Sequence, residues 1–174
     1  MLERFRPGLT AARLEEVDQE ELRRRGIRGL LLDLDNTLCP WGSLEISPAR
    51  REWVQRARQS FRVCILSNTF KGRRLRRVGE LLGVPTVARW GLGRKPMPGG
   101  IRAALQVTGT APAETAIIGD QLFADITGGN RLGLLTVWLP VIDRSEFFTT
   151  RAFRRLERWV LRRLRAIEEG PAEL

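Results

Sequence analysis

The hydrophobic pattern of the chain alternates between short unbroken apolar runs and longer segments with helical spacing. "GIRGLLLDLD" (26–35), "RVCILSN" (62–68), "ETAIIGD" (114–120) and "LLTVWLP" (134–140) read as strands buried on both faces, and "PTVARW" (85–90) as a shorter one. Between them lie helical segments. "SPARREWVQRARQSF" (47–61) opens with a Ser suited to the N-cap and a Pro at the first helical position. "GRRLRRVGELLG" (72–83) is closed by Gly83, "PGGIRAALQVTG" (98–109) carries weakening glycines, and "LFADITGGNRLG" (122–133) ends rich in glycine. The charged stretch "AARLEEVDQEELRRR" (11–25) predicts one helix or two short ones. The order β-α-β-α-β-α-β-α-β with short connections predicts an α/β fold, a doubly wound parallel sheet of Rossmann-like type.

In such sheets ligands sit beyond the carboxyl ends of the strands, and those ends carry the chemistry here. The first strand ends on Asp33 and Asp35, the second on Ser67 and Asn68, and the fourth on Asp120, with Asp125 five residues on. Singly, each has an ordinary explanation, since Asp caps helices and Ser-Asn is common turn chemistry. Jointly, several acids at one edge repel each other unless a cation lies among them. Oxygen ligands of this kind suit Mg²⁺. Lys95, in "GRKPMP", is one of two lysines in the chain, beside Lys71. A compact ammonium next to a proline that fixes the local backbone fits the same site.

Composition narrows the chemistry further. The chain has no histidine, so His-based acid–base catalysis and the Ser-His-Asp triad are excluded. Cys39 and Cys64 lack C-x-x-C spacing, which argues against a disulfide framework or a zinc site. Length predicts one domain with a real core, 174 residues in all. No apolar run approaches the ~20 residues of a membrane span, and the N-terminus lacks a signal-like apolar stretch, so a cytoplasmic location is expected. The net charge of +10, nearly all from arginine, fits either a polyanionic partner or an Arg-rich composition that serves solubility.

Much of that charge lies near the C-terminus. The expected organisation is a core over 1–145, with its N-terminal helical segment, followed by a basic amphipathic helix and tail over 146–174. Within 151–167, Phe153, Leu156, Val160, Leu164 and Ile167 fall on one helical face, and arginines crowd the rest with Trp159 near the boundary. Such a helix could pack on its own core, lie on anionic lipid at the inner face of a membrane, or face RNA.

"LLLDLDNTL" resembles the hhhDxDxT motif of the haloacid dehalogenase-like (HAD) phosphatases. "ILSN", Lys95 in "RKP" and "IIGDQLFADI" resemble that superfamily's second, third and fourth motifs, in order over 27–130. More narrowly, "LRRRGIRGLLLDLDNTL", "GRKPMPGGIRAAL" and "IIGDQLFADITGGNRLG" are similar to the YqeG family (subfamily IIIA), which includes relatives of mitochondrial phosphatidylglycerophosphate phosphatase. Two positions depart from its pattern. Cys39 stands where an apolar residue is usual, and Gly99-Gly100 where a bulkier one is expected.

The resemblance implies Asp33 as nucleophile and Asp35 as general acid and base. It implies Mg²⁺ held by Asp33, Asp120 and the backbone carbonyl of Asp35. Ser67, Asn68 and Lys95 would bind the substrate phosphate, and Asp125 would bind the metal through water, orient Lys95 or support the loop. The gaps from Asp33 to Ser67 and from Ser67 to Lys95 leave no room for a cap domain, so the phosphate would be presented on something large. The expected function is phosphatidylglycerophosphate hydrolysis in phospholipid synthesis. The alternatives are a phosphatase for a sugar phosphate, a nucleotide or a nucleic-acid end, and an RNA- or ribosome-binding protein with little turnover.

Overall fold

The structure, a computed structural model, describes residues 2–69 and 72–140. The tail helix expected over 151–167 and the boundary expected at 145 lie outside the described residues.

Among the described residues, six strands form one all-parallel sheet: β1 (Leu9–Thr10), β2 (Gly29–Leu32), β3 (Arg62–Ser67), β4 (Thr86–Ala88), β5 (Thr115–Gly119) and β6 (Leu135–Trp138), in the order β1-β6-β5-β2-β3-β4. The chain winds outward from β2 to β3 to β4, then returns to the other side of β2 as β5. The switch point therefore lies between β2 and β5, where a crevice opens in folds of this type. The five strands expected from the sequence are present, and β1 is an addition. Its two residues are too short for any alternation to show, and it pairs only with β6 at the sheet edge.

Strand alternation sorts the core onto two faces. Leu30 and Leu32 pack with Trp53, Val54, Leu75 and Val78 on the face covered by α1 (Gln19–Arg24), α2 (Pro48–Ser60) and α3 (Gly72–Leu82). Leu31, Cys64 and Ile117 point the other way, onto Ile101, Ala104 and Leu105 of α4 (Pro98–Thr108). Asp18 caps α1 by accepting from the N–H groups of Glu20 and Glu21. Ser47 caps α2 by accepting from Arg50 N–H, as its sequence predicts. The helix expected over 122–133 is divided into a π-helical turn, Leu122–Ile126, and α5 (Thr127–Leu132). The glycines of α4 have a packing reason: a Cβ on Gly100 would stand 3.0 Å from the Gly93 carbonyl. A bulkier residue there would push α4 away from the turn that leads to Lys95.

Between Asp33 and Ser67 the described chain is a turn, a short loop and α2; between Ser67 and Lys95 it is α3, β4 and a 3₁₀ turn, Gly91–Gly93. Neither interval holds a cap domain. Among the described residues no helix is long and apolar enough to cross a membrane.

Candidate active site

The carboxyl edge at the β2–β5 switch point is assembled from four strand ends. Asp33 N–H donates to Ile118 O at 2.9 Å, continuing the β2–β5 ladder, and leaves the Asp33 side chain buried at the edge. The chain then reverses. Asn36 has φ 61°, a left-handed conformation that Asn tolerates better than most residues. Its N–H donates to Cys39 O at 2.8 Å, and the N–H groups of Leu38 and Cys39 both reach Leu34 O. This turn also sends Asn36 Nδ2 to Asp120 Oδ2 at 3.2 Å, tying the end of β2 to the end of β5.

Lys95 lies at the centre and is only 3% exposed. Three oxygens surround its ammonium: Asp33 Oδ1 at 2.5 Å, Asp125 Oδ1 at 2.6 Å and Leu66 O at 3.0 Å. That number matches the three donors of an ammonium. The backbone of Lys95 is held just as firmly. Its N–H donates to Asn68 Oδ1 at 2.8 Å, and Asn68 Nδ2 donates to Lys95 O at 2.9 Å. Asn68, expected among the phosphate-binding groups, thus has both ends of its amide on the Lys95 backbone, the contact of a positioning residue. Ser67 is buried beside it, at the end of β3.

Asp125 reaches Lys95 because the π-helical turn places it over the end of β5. Asp125 N–H donates to Gln121 O, and Gln121 N–H returns a bond to Asp125 Oδ2 at 3.1 Å. π-Turns of this kind occur often at functional sites. Gly119 makes room for it, because a Cβ there would collide with the Asp125 carboxylate.

Asp33, Asp120 and Asp125 each offer a carboxylate oxygen within 4.8 Å of one another, and all three are buried. One ammonium faces three carboxyls. Burial, the largest influence, pushes the Asp33 carboxyl well above the ordinary range; Lys95 pulls it down, while Asp125 and Asp120 push it further up. Burial opposes the Lys95 charge, but Asp125 and Asp33 outweigh it and hold the ammonium above its usual value. The cluster is therefore short of positive charge. An oxygen-only donor set with that deficit fits a hard divalent cation such as Mg²⁺. The resemblance placed the cation on Asp33, Asp120 and the Asp35 carbonyl; the carboxylates brought together here are Asp33, Asp120 and Asp125.

Asp35 stands apart, half-buried. Its Oδ1 accepts from Arg74 Nη1 at 2.7 Å and from Gly42 N–H at 3.1 Å. Arg74 also donates from Nε to Ser43 O at 2.7 Å and from Nη2 to Cys39 Sγ at 3.2 Å. One guanidinium thus fastens α3 to the loop after β2 and to the second aspartate of that strand end. Cys39 is a buried thiol pushed up by burial against the opposing pull of Arg74. Arg74 is absent from the sequence reading, although its helical phase marks it. It shares a face with Val78 and Leu82, both buried, whereas Arg73, Arg76 and Arg77 are exposed. A cation on the inward face of a helix requires a partner.

The family model described as mitochondrial PGP phosphatase matches residues 2–141. The chain belongs to that family. Among curated relatives of this PGP phosphatase family member, "Probable phosphatase YqeG" of Bacillus subtilis is 32% identical over 92% of this chain and 92% of its own length. A protein named phosphatidylglycerophosphate phosphatase 1 from Arabidopsis thaliana is 29% identical over 94% of this chain, which spans about half of that protein (51%). In fold, the family member resembles the HAD-hydrolase YfnB of Bacillus subtilis, solved bound to magnesium, with a TM-score of 0.53, 16% identity, and 77% of this chain and 98% of that one covered. It also resembles a HAD phosphatase from Thermococcus onnurineus, with a TM-score of 0.51, 15% identity, and 70% and 90% covered. The chain is a phosphatase family member with the fold of HAD hydrolases.

For this PGP phosphatase family member, Gly119→Ala is expected to do disproportionate damage for one methyl group. The new Cβ occupies the place of the Asp125 carboxylate, which must turn away from Lys95 or displace β5. A misplacement of about 1 Å at such a site costs roughly 10²-fold in turnover. Steady-state hydrolysis of an aryl phosphate, with circular dichroism to confirm the fold, measures it. Wild-type turnover would show that the Asp125–Lys95 contact does not matter.

Proposed function

We propose that the chain is a Mg²⁺-dependent phosphomonoesterase that works through a phosphorylated Asp33, and that its substrate is phosphatidylglycerophosphate. The observation that carries the chemistry is the buried Lys95 ammonium shared by Asp33 and Asp125, with Asp120 alongside. Lys95 holds Asp33 Oδ1, and Oδ2 attacks phosphorus. The P–O bond to the leaving group breaks as the bond to Asp33 forms. Asp35 gives its proton to the leaving oxygen. It then takes a proton from a water, and the resulting hydroxide attacks phosphorus and releases inorganic phosphate from Asp33. Gly42 and Arg74 hold Asp35 Oδ1, leaving Oδ2 for that exchange. Ser67 donates to a phosphoryl oxygen, and Asn68 keeps Lys95 in place. Mg²⁺, held by Asp33, Asp120 and Asp125, would withdraw charge from the phosphoryl group.

Support for the lipid comes from the family match over 2–141 and from the names that the plant and algal relatives carry. The lack of a cap among the described residues is consistent with a phosphate presented at a surface, and a cytoplasmic location at the inner membrane face would suit it. The test is phosphate release from phosphatidylglycerophosphate, sugar phosphates, nucleotides and DNA 3′-phosphate ends, each with Mg²⁺ and with chelator. Release from the lipid should exceed the others by at least about tenfold in kcat/KM and vanish on chelation. Preference for a soluble phosphate would overturn the lipid assignment. Release undiminished by chelation would overturn the metal, and no release from any substrate would favour a binding role on RNA or ribosomes.

A further inference from the structure

The exposed large apolar side chains of the described residues are concentrated at one edge. Trp41 and Leu44 stand exposed on the loop after β2, and Trp90, Leu92 and Met97 on the loop after β4. Leu92 is 96% exposed. Both loops lie at the carboxyl edge, around the buried carboxylates. Neither is loosely attached. Arg74 bonds to Ser43 O, Pro40 O and Asp35 in the first. In the second, Asn68 grips Lys95, and Gly93 packs against Gly99 and Gly100. Exposed apolar groups gathered on anchored loops at a site's rim mark a surface that meets something apolar.

The charges on the same edge identify the partner. Arg73, Arg89 and Arg94 are exposed there, and Glu45 is the one exposed acid among the described residues of these loops. The Arg94 guanidinium lies 5.4 Å from the Trp90 ring centroid, which sets a cation beside an interface-seeking aromatic. A second copy docked on this face about a two-fold axis would set two arginine-bearing faces against each other. The 151–167 sequence is itself crowded with arginine, so its charge does not complement these arginines. An anionic bilayer offers what both lack, apolar depth beneath negative charge.

We infer that the carboxyl edge docks directly on an anionic lipid surface. Trp41, Leu44, Trp90 and Leu92 enter the headgroup region, and Arg73, Arg89 and Arg94 meet lipid phosphates. This deepens the lipid-substrate reading and rests on it for its purpose: docking by this edge brings a headgroup phosphate to Asp33 with no cap to cross.

The experiment uses the full chain and co-sedimentation with phosphatidylcholine vesicles, with and without phosphatidylglycerol. Wild type should bind the anionic vesicles, and less so as salt is added. The triple variant Leu44→Gln, Trp90→Gln, Leu92→Gln should bind at least about tenfold more weakly, given the apolar area withdrawn. Its turnover of a soluble aryl phosphate should be unchanged, which shows that it is folded. Arg73→Gln with Arg94→Gln should flatten the salt dependence. The inference is overturned if the triple variant binds like wild type, or if only Arg→Gln changes within 151–167 release the protein. A change in oligomeric state with vesicle binding intact would also overturn it and assign the face to a second copy. The substrate reading fails separately. Edge-dependent binding without phosphate release from phosphatidylglycerophosphate keeps the surface and removes the substrate; release in detergent micelles without vesicle binding does the reverse.

Discussion

Asp33→Asn is expected to lower turnover by roughly 10⁴-fold or more, the scale of losing a covalent nucleophile. The fold should survive. The amide is nearly isosteric with the carboxylate, and Lys95 keeps Asp125 at 2.6 Å and Leu66 O at 3.0 Å. Two changes in stability oppose each other: Lys95 loses one ion-pair partner, and Asp120 and Asp125 lose a like-charged neighbour. The melting temperature should therefore move only slightly. The loss should be the same for every leaving group, because no substrate supplies a substitute for the attacking oxygen. Asp35→Asn should behave differently. Its deficit should shrink for an aryl phosphate, whose leaving group needs no proton, and widen for an alkyl ester. Rates measured for both variants on a series of leaving groups separate the roles. An Asp33→Asn protein with wild-type turnover removes the nucleophile assignment, and an Asp35→Asn deficit independent of leaving group removes the acid.

The parts of this site that could be read from the sequence are those where chain direction alone fixes position. Strand ends in a parallel sheet share one edge, so Asp33, Ser67 and Asp120 could be brought together without coordinates. Lys95 could be added because lysine is so rare in this chain. What could not be read depends on local geometry that has no period. Asp125 is expected at this edge from its spacing after Asp120, but the path of its carboxylate, through a π-helical turn and past a Gly119 that has no side chain, is not. Asn68, expected on the phosphate, also bonds both backbone groups of Lys95, a contact that its place in the sequence does not announce. Asn36 gains its contact with Asp120 through a left-handed backbone that a sequence allows but does not dictate. Arg74 was legible in principle from its helical phase, but four arginines in five residues concealed it. In the fold, the two-residue β1 was the omission, and its pairing is decided by the partner strand β6 rather than by its own pattern.

Replacing Lys95 should be damaging in two separable ways. Lys95→Arg keeps the charge, yet three oxygens converge within 3.0 Å on one nitrogen in a site that is almost closed to solvent. A planar guanidinium spreads five donors over a wider fork and cannot satisfy that single focus. Turnover should fall about 10²–10³-fold, the scale of misplacing one stabilising donor. Lys95→Met keeps the length and removes the charge, leaving three buried carboxylates with no cation. Breaking a buried ion pair in this way costs about 3–5 kcal/mol, which in a chain of this size lowers the melting temperature by about 10 °C. That loss should be seen in chelator. Added Mg²⁺ should then stabilise the Met variant more than the wild type, because its cluster carries one more uncompensated negative charge and binds a divalent cation more tightly. The Met variant should nevertheless remain inactive, since the cation does not replace the group that holds Asp33 Oδ1. Thermal unfolding of both proteins across a Mg²⁺ titration gives the answer. If Lys95→Met melts with wild type in chelator and ignores Mg²⁺, the three carboxylates are not a cation site, and the ammonium is not what holds them together.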